Sequence, residues 1–248
     1  MKIEGNNYFI ENKKIFQPEM AFNSETVKKV FDFAFEMAFG NGEHRSYRSG
    51  GQAKRRKSQI FINAFQGKLA ELAIYNFFNL YNKPIYEKMS APDFDVYGLG
   101  EWDNADIIVD EKKLSIKSTK HYGNLLLLET KDWDNNAQYK PNIENGNSHY
   151  DYTILVRISP DGEKLLSSNK LLYTDSIDKQ LLENLIFDAS WEYDIPGYIT
   201  HEDLKQIINA KKIIPQNAML NSIIKMDAEN YYIEAGNLRN FKSLVQTF

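Results

Sequence analysis

Asp106 and Lys117 bracket two short apolar runs, Ile107-Ile108-Val109 and Leu114-Ser115-Ile116, which flank the charged stretch Asp110-Glu111-Lys112-Lys113. Paired apolar runs around a polar turn are the sequence sign of a β-hairpin. With the turn taken as Asp110 to Lys113, or shrunk symmetrically to Glu111-Lys112, Val109 pairs with Leu114 and Ile108 with Ser115. Ile107 then pairs with Ile116, and Asp106 with Lys117. Directly opposed residues share a sheet face, with Cβ atoms about 4.5–5.5 Å apart. Alternation along each strand puts Asp106, Ile108, Ser115, Lys117 and Thr119 together. A carboxylate beside an ammonium suits a divalent cation next to a proton-handling lysine, the chemistry with which phosphodiester hydrolysis begins. The plain alternative is a solvated cross-strand ion pair contributing about 0.2–1 kcal/mol.

Helices must hold such a hairpin in place. Residues 24–39 read as one: Asn23 or Ser24 caps it, Val27, Val30, Phe31, Ala34, Met37 and Ala38 share a face, and Gly40 ends it. A second helix is expected from about Asn63 to Tyr81, with Phe65, Leu69, Leu72, Ala73, Phe77 and Leu80 as its apolar stripe. Glu71 falls at the margin of that stripe, beside Lys68. Gly67 sits one turn earlier, where a missing side chain lets a backbone or ligand approach. The plain reading of Glu71 is a surface glutamate paired with Lys68. Further on, Phe94 to Tyr97, residues 122–129, Tyr152 to Ile158 and Tyr231-Tyr232-Ile233 read as strands, and Leu181 to Phe187 and Thr200 to Ile208 as helices. Residues 134–149, with five asparagines and one proline, read as a long loop. Trp191 to Tyr198 reads as a packed turn.

The chain has 248 residues, 42% hydrophobic and 26% charged, which is enough for a sizeable core and ordinary for a globular protein. The absence of cysteine excludes disulfides and thiolate zinc sites, and fits a reducing compartment. No apolar stretch approaches the roughly 18 residues of a membrane span, and the first residues lack a secretory core. The expectation is a cytoplasmic protein with no membrane partner, a single domain over 1–248. Its core would lie at about 60–160, with a C-terminal α+β elaboration at about 161–248. The net charge of −4 does not favour a polyanion, but six cations and no acid lie between Arg45 and Lys57.

A helix with Gly-Lys-x-x-Glu (Gly67, Lys68, Glu71), then a strand Asp (Asp106), then a strand ending Ser115-Ile116-Lys117, resembles the PD-(D/E)xK superfamily of restriction-type nucleases. The matching residues lie within roughly residues 60–120. The resemblance implies an α+β fold with an α/β core, a restriction-endonuclease-like mixed β-sheet whose central hairpin is flanked by helices. It also implies Mg²⁺ as cofactor. Asp106 would bridge the metal, the Ile116 carbonyl would be a further hard ligand, and Lys117 would orient or deprotonate water. Ser115 departs from the pattern, because a hydroxyl is a poor substitute for a carboxylate on a hard cation. The second acid must come from elsewhere. Glu71 on the helix and Glu129 after the hairpin are the two candidates, and Glu71 is preferred on the strength of Gly67. A literal Pro92-Asp93 also occurs, and Asp95 is a candidate auxiliary ligand.

The implied activity is Mg²⁺-dependent cleavage of double-stranded DNA at a short specific sequence, the type II restriction reaction. A symmetric target would call for a homodimer with two active sites. A structure-selective repair nuclease and a catalytically silent DNA-binding protein of the same fold are the alternatives. The strip Arg45, Arg48, Lys54, Arg55, Arg56 and Lys57 suits the DNA backbone, whose phosphates dominate affinity. Asn135, Asn136, Gln138 and Lys140, with Asn142, Asn145 and Asn147, carry the groups that read base edges in the major groove. Asparagine is common throughout the chain, which weakens that second assignment. The four histidines lack metal-ligand spacing and no phosphate-binding Gly-x-x-x-x-Gly-Lys-Ser/Thr occurs, so zinc hydrolysis and ATP use are not expected.

Overall fold

The computed structural model describes residues 1–40, 55–95, 106–144, 146 and 148–248. Helix α1 spans Ser24–Phe39 and is capped by Asn23, whose side chain accepts the Thr26 N–H at 2.7 Å. Helix α2 spans Lys57–Tyr81, starting two turns earlier than the apolar spacing suggests, and is followed by the short α3, Lys83–Tyr86. The extra turns of α2 carry Phe61 and Ile62, both fully buried. Phe61 meets Phe31 of α1 edge to face at 5.5 Å, and Phe65 meets Trp191 at 4.9 Å. Because α2 lies between α1 and a sheet, it is apolar on two sides: Ala70, Ile74 and Phe78 are buried as well as Leu69 and Phe77. Leu80, expected in the stripe, is 55% exposed near the end of the helix. Each buried Phe or Leu contributes about 1.5–3 kcal/mol, which outweighs the interior glycine.

Three short strands precede α1: β1 (Lys2–Glu4), β2 (Asn7–Phe9) and β3 (Met20–Ala21). After α3 come β4 (Ile107–Val109), β5 (Lys112–Lys120), β6 (Leu125–Glu129) and β7 (Tyr152–Ser159). Helices α4 (Gly162–Ser168) and α5 (Lys179–Phe187) lead to β8 (Glu192–Thr200) and α6 (His201–Asn209). The chain closes with β9 (Ile213–Ile214), β10 (Met219–Leu220), β11 (Ile224–Lys225), β12 (Asn230–Glu234) and α7 (Phe241–Val245). The architecture is mixed α+β. No helix among the described residues is long and apolar enough to cross a membrane.

The central sheet runs β3-β8-β7-β5-β4, parallel between β5 and β7 and antiparallel elsewhere. It draws on strands from residues 20–21 and 192–200, well outside the 60–160 core. The stretch 191–198, expected as a turn, forms most of β8 and is paired along its length with β7. Its Gly197 has a φ of +149°, and a Cβ there would sit 2.2 Å from the Arg239 carbonyl, which receives the Tyr198 N–H. A three-stranded sheet, β6-β12-β9, and a four-stranded one, β1-β2-β10-β11, complete the sheets of the described residues.

The central sheet is buried on both faces. Toward α2 it presents Ile107, Val109, Leu114, Ile116, Ile154, Val156 and Ile158. From the other face Leu155 packs with Leu126 and Leu128 of β6 and with Leu204 and Ile207 of α6. On β7, the buried Arg157 donates from Nε to Asp194 Oδ1 at 2.8 Å and from its terminal nitrogens to the carbonyls of Lys14 and Ile15. That clamp ties the N-terminal segment to the sheet.

Candidate active site at the edge of the sheet

The hairpin forms, but with a different register. Ile107 pairs with Leu114, Ile108 with Lys113 and Val109 with Lys112, around a two-residue turn of Asp110 and Glu111. Both turn residues have positive φ, 45° and 65°, as the tight hairpin turn requires. The expected four-residue loop therefore places every pair two residues out. A shift of two preserves parity, so Asp106, Ser115, Lys117 and Thr119 still share one side of the ladder. Carried one step past Ile107, the ladder sets Asp106 opposite Ser115. No ion pair joins Asp106 to Lys117 among the described residues. The hairpin is also not central: β4 is the outermost strand of its sheet among the described residues.

Asp106 is committed to the backbone. Its Oδ2 accepts the Ile116 N–H at 2.5 Å, while Ile108 turns its N–H and carbonyl outward to Ser90. In a strand the N–H and C=O of one residue point to the same edge, so the Ile116 carbonyl faces the same side as Asp106. One carboxylate and one carbonyl thus converge on one edge of β5. Magnesium favours hard oxygen donors, and one or two carboxylates with waters and phosphate oxygens suffice for it. The donor chemistry fits that ion. Among the described residues, no group of three or more acidic or histidine side chains is placed to hold a metal.

Lys117 follows Ile116, whose side chain packs toward α2, so Lys117 projects from the opposite face. Asp132 lies within electrostatic reach there. Burial and then Glu129 push the Asp132 carboxyl above its ordinary value, while Lys131, and after it Lys117 and Lys140, pull it back. Glu129 is the last residue of β6, not the start of a loop, and is buried, with Lys131 Nζ 2.6 Å from its Oε2. Asp132 is absent from the sequence-derived candidates. The Glu129-x-x-Asp132 spacing at a strand end is the signal that points to it.

Glu71 lies on the α2 side. Its Oε2 takes a 2.5 Å hydrogen bond from Lys68, which also donates to the Asp93 carbonyl at 2.6 Å. The pair is nearly buried, with side-chain exposures of 8% and 15%, and the rings of Phe33 and Phe94 lie 4.9 Å and 5.6 Å from the ammonium. It is not the surface pair expected for this spacing. The reasoning from Gly67 does not hold: a Cβ there meets nothing within 4 Å among the described residues. Asp95 is exposed, and its N–H bonds Asp93 Oδ1 at 2.8 Å; Phe94 and Asp95 are not in a strand.

The proposed DNA contacts divide. Arg45, Arg48 and Lys54 lie outside the described residues, as do Asn145 and Asn147. Arg55 is half-buried, whereas Arg56 pairs with Asp175 at 2.5 Å and the Lys57 N–H bonds the same carboxylate. The asparagine-rich stretch is folded, with Trp133, Tyr139 and Tyr150 packed together. Asp134 accepts the N–H groups of Asn136 and Gln138 at 2.8 Å, and the Gln138 amide oxygen is taken by Ser148. Asn142 is buried, so it is no base reader; the side chains of Asn135, Asn136 and Lys140 are exposed. Compared with protein-family models, curated proteins and solved structures, the chain matches none of them.

Proposed function

We propose that this protein is a metal-dependent nuclease acting on double-stranded DNA, with its active site on the β4–β5 edge. The observation that carries the reading is the convergence of the Asp106 carboxylate and the Ile116 main chain on one strand edge, with Lys117 the next residue. Asp106 and the Ile116 carbonyl would hold Mg²⁺. When bound, that ion supplies charge neutralisation at the phosphate and acidifies a water. Lys117 contributes positive charge where the attacked phosphate gains negative charge. Asp132, within electrostatic reach of Lys117, supplies a nearby acid on that face. The β4–β5 hairpin backed by α2 supports the PD-(D/E)xK reading, although that reading expects the hairpin at the centre of the sheet and β4 is outermost among the described residues. Type II restriction, in a homodimer with two sites, is the form proposed.

The locking of Glu71 by Lys68 favours a second reading, a DNA-binding protein of the same fold that does not cleave. Plasmid incubated with Mg²⁺ separates the two. Discrete fragments support restriction, and a shift in mobility without cleavage supports the silent binder. Lys117→Ala is expected to abolish cleavage and keep DNA binding. Cleavage by that variant within tenfold of the parent removes Lys117 from the mechanism.

A further inference from the structure

At its C-terminal end β5 opens onto a cavity of about 300 Å³, lined by Arg55, Asn63, Gln66, Ser118, Thr119 and Lys120, with Glu163 at its rim. Three elements meet there: the N-terminal half of α2, the last residues of β5 and the start of α4. Gly162 permits the approach of α4, because a Cβ at that position would lie 2.5 Å from Ile62 Cδ1 and 2.9 Å from Gln66 Oε1.

The lining is rich in donors. It offers a guanidinium, an ammonium, two carboxamides and two hydroxyls. Its single carboxylate, Glu163, already faces Lys120, with Nζ 2.8 Å from Oε2. Behind it Asp161 lies 3.4 Å from the same ammonium and accepts the Tyr122 hydroxyl at 2.7 Å. Burial opposes the Lys120 charge, but Glu163 and Asp161 outweigh it and hold the pKa above the usual lysine range. Lys120 is therefore a fixed cation with a defined position. The lining offers donors from α2 and β5 and no aromatic ring, so a base has nothing to stack on, while an oxyanion meets donors from several sides.

The position is equally informative. Ser118 lies two residues beyond Ile116 on β5, about 6.6 Å along the strand. Both residues turn their main-chain groups to the same edge. We propose that this cavity binds a backbone phosphate of the nucleic-acid strand, next to the phosphate attacked beside Asp106. Its place on the substrate rests on the nuclease reading; its affinity for a phosphate does not.

The test uses the full chain in EDTA with two probes, inorganic phosphate and a labelled 12-base-pair duplex. Phosphate is expected to shift the amide resonances of Ser118, Thr119 and Lys120. Asn63→Asp, which is isosteric and adds a negative charge, should suppress those shifts and weaken duplex binding at least tenfold. Lys120→Gln should flatten the slope of log K against log salt by about 0.9, the loss of one phosphate contact. Because that variant leaves Asp161 and Glu163 facing each other, thermal melting accompanies it, and Asn63→Asp decides if it unfolds. Unmoved amides, or duplex affinity in Asn63→Asp within twofold of the parent, overturn the proposal. Cleavage with Mg²⁺ in a protein whose affinity ignores these variants removes the cavity alone. Phosphate shifts and weakened variants without any cleavage keep the cavity as a phosphate site and remove the nuclease reading.

Discussion

Asp106 Oδ2 receives the backbone N–H of Ile116 at 2.5 Å, so a side-chain carboxylate continues the β4–β5 ladder one rung beyond Ile107 and Leu114. The contact spends one carboxylate oxygen on the main chain. It also separates the roles of the two charged residues. Asp106 and Lys117 share one side of the ladder, but Asp106 is tied to the main chain at the strand edge while Lys117 lies within electrostatic reach of Asp132.

Asp106→Asn keeps an oxygen that can accept the Ile116 N–H, so its melting temperature should stay near that of the parent. Its Mg²⁺-dependent cleavage should be lost, because a neutral amide is a poor ligand for a hard cation. Asp106→Ala leaves the N–H without its acceptor and should cost about 1–3 kcal/mol where water does not replace it. Thermal melts and plasmid cleavage of both variants check this. Parental cleavage by Asp106→Asn would show that the carboxylate holds no metal.

The turn gives a second expectation. Asp110 and Glu111 hold φ angles of 45° and 65°, which residues with a Cβ adopt at a cost. Replacing the pair by Asn-Gly should stabilise the protein by about 1 kcal/mol, because the left-handed conformation costs a residue with a Cβ about 1–2 kcal/mol, a gain reduced by the freedom glycine adds to the unfolded chain. Urea unfolding measures it. A loss of stability would mean that the exposed charges of Asp110 and Glu111 matter more than backbone strain.

Lys68 and Glu71 provide a third. Removing one partner of a nearly buried ion pair leaves the other uncompensated, so Lys68→Met should cost about 3–5 kcal/mol. The double variant Lys68→Met with Glu71→Leu should recover most of that loss. If the double variant also cleaves DNA normally, Glu71 is a structural residue. If it is stable and inactive, Glu71 serves the reaction.

How far these features could be read in advance follows from their physics. The period of the apolar residues in α1 and α2 is local, and both helices and the Thr200 cap of α6, which bonds the Asp203 N–H at 3.1 Å, are visible in the residues themselves. Hairpin parity was also legible, because side-chain alternation survives a two-residue slip. The register was not. It depends on whether Asp110 and Glu111 both accept positive φ; aspartate tolerates it, but glutamate in place of the usual glycine leaves a longer loop equally open. Trp191 to Tyr198 reads as a turn because Pro196 and Gly197 punctuate it, yet its pairing with β7 is a long-range contact that local residues do not encode. The burial of Lys68 and Glu71 is likewise set by Phe33 and Phe94, which are remote in sequence. Asp132 was missed for the same reason: its neighbour Lys117 comes from another sheet.

The final expectation concerns Asp132 and pH. Burial and Glu129 raise its folded-state pKa above the ordinary 3.8, in spite of Lys131, Lys117 and Lys140. The sign follows from linkage. Below the unfolded pKa the acid is protonated in both states and carries no penalty. As pH rises through the interval between the two values, the unfolded chain releases its proton first, and the folded state loses relative stability until it too ionises. At neutral pH the Asp132 carboxylate is therefore a cost to folding. Asp132→Asn, nearly the same shape without the charge, should be more stable than the parent at pH 7, and the gain should vanish near pH 3. Urea unfolding at the two pH values gives the comparison. The same substitution removes negative charge near Lys117, so a change in DNA cleavage accompanied by unchanged DNA affinity would place Asp132 in the reaction. A variant less stable than the parent at pH 7 would show instead that Lys131, Lys117 and Lys140 stabilise the carboxylate by more than burial costs it.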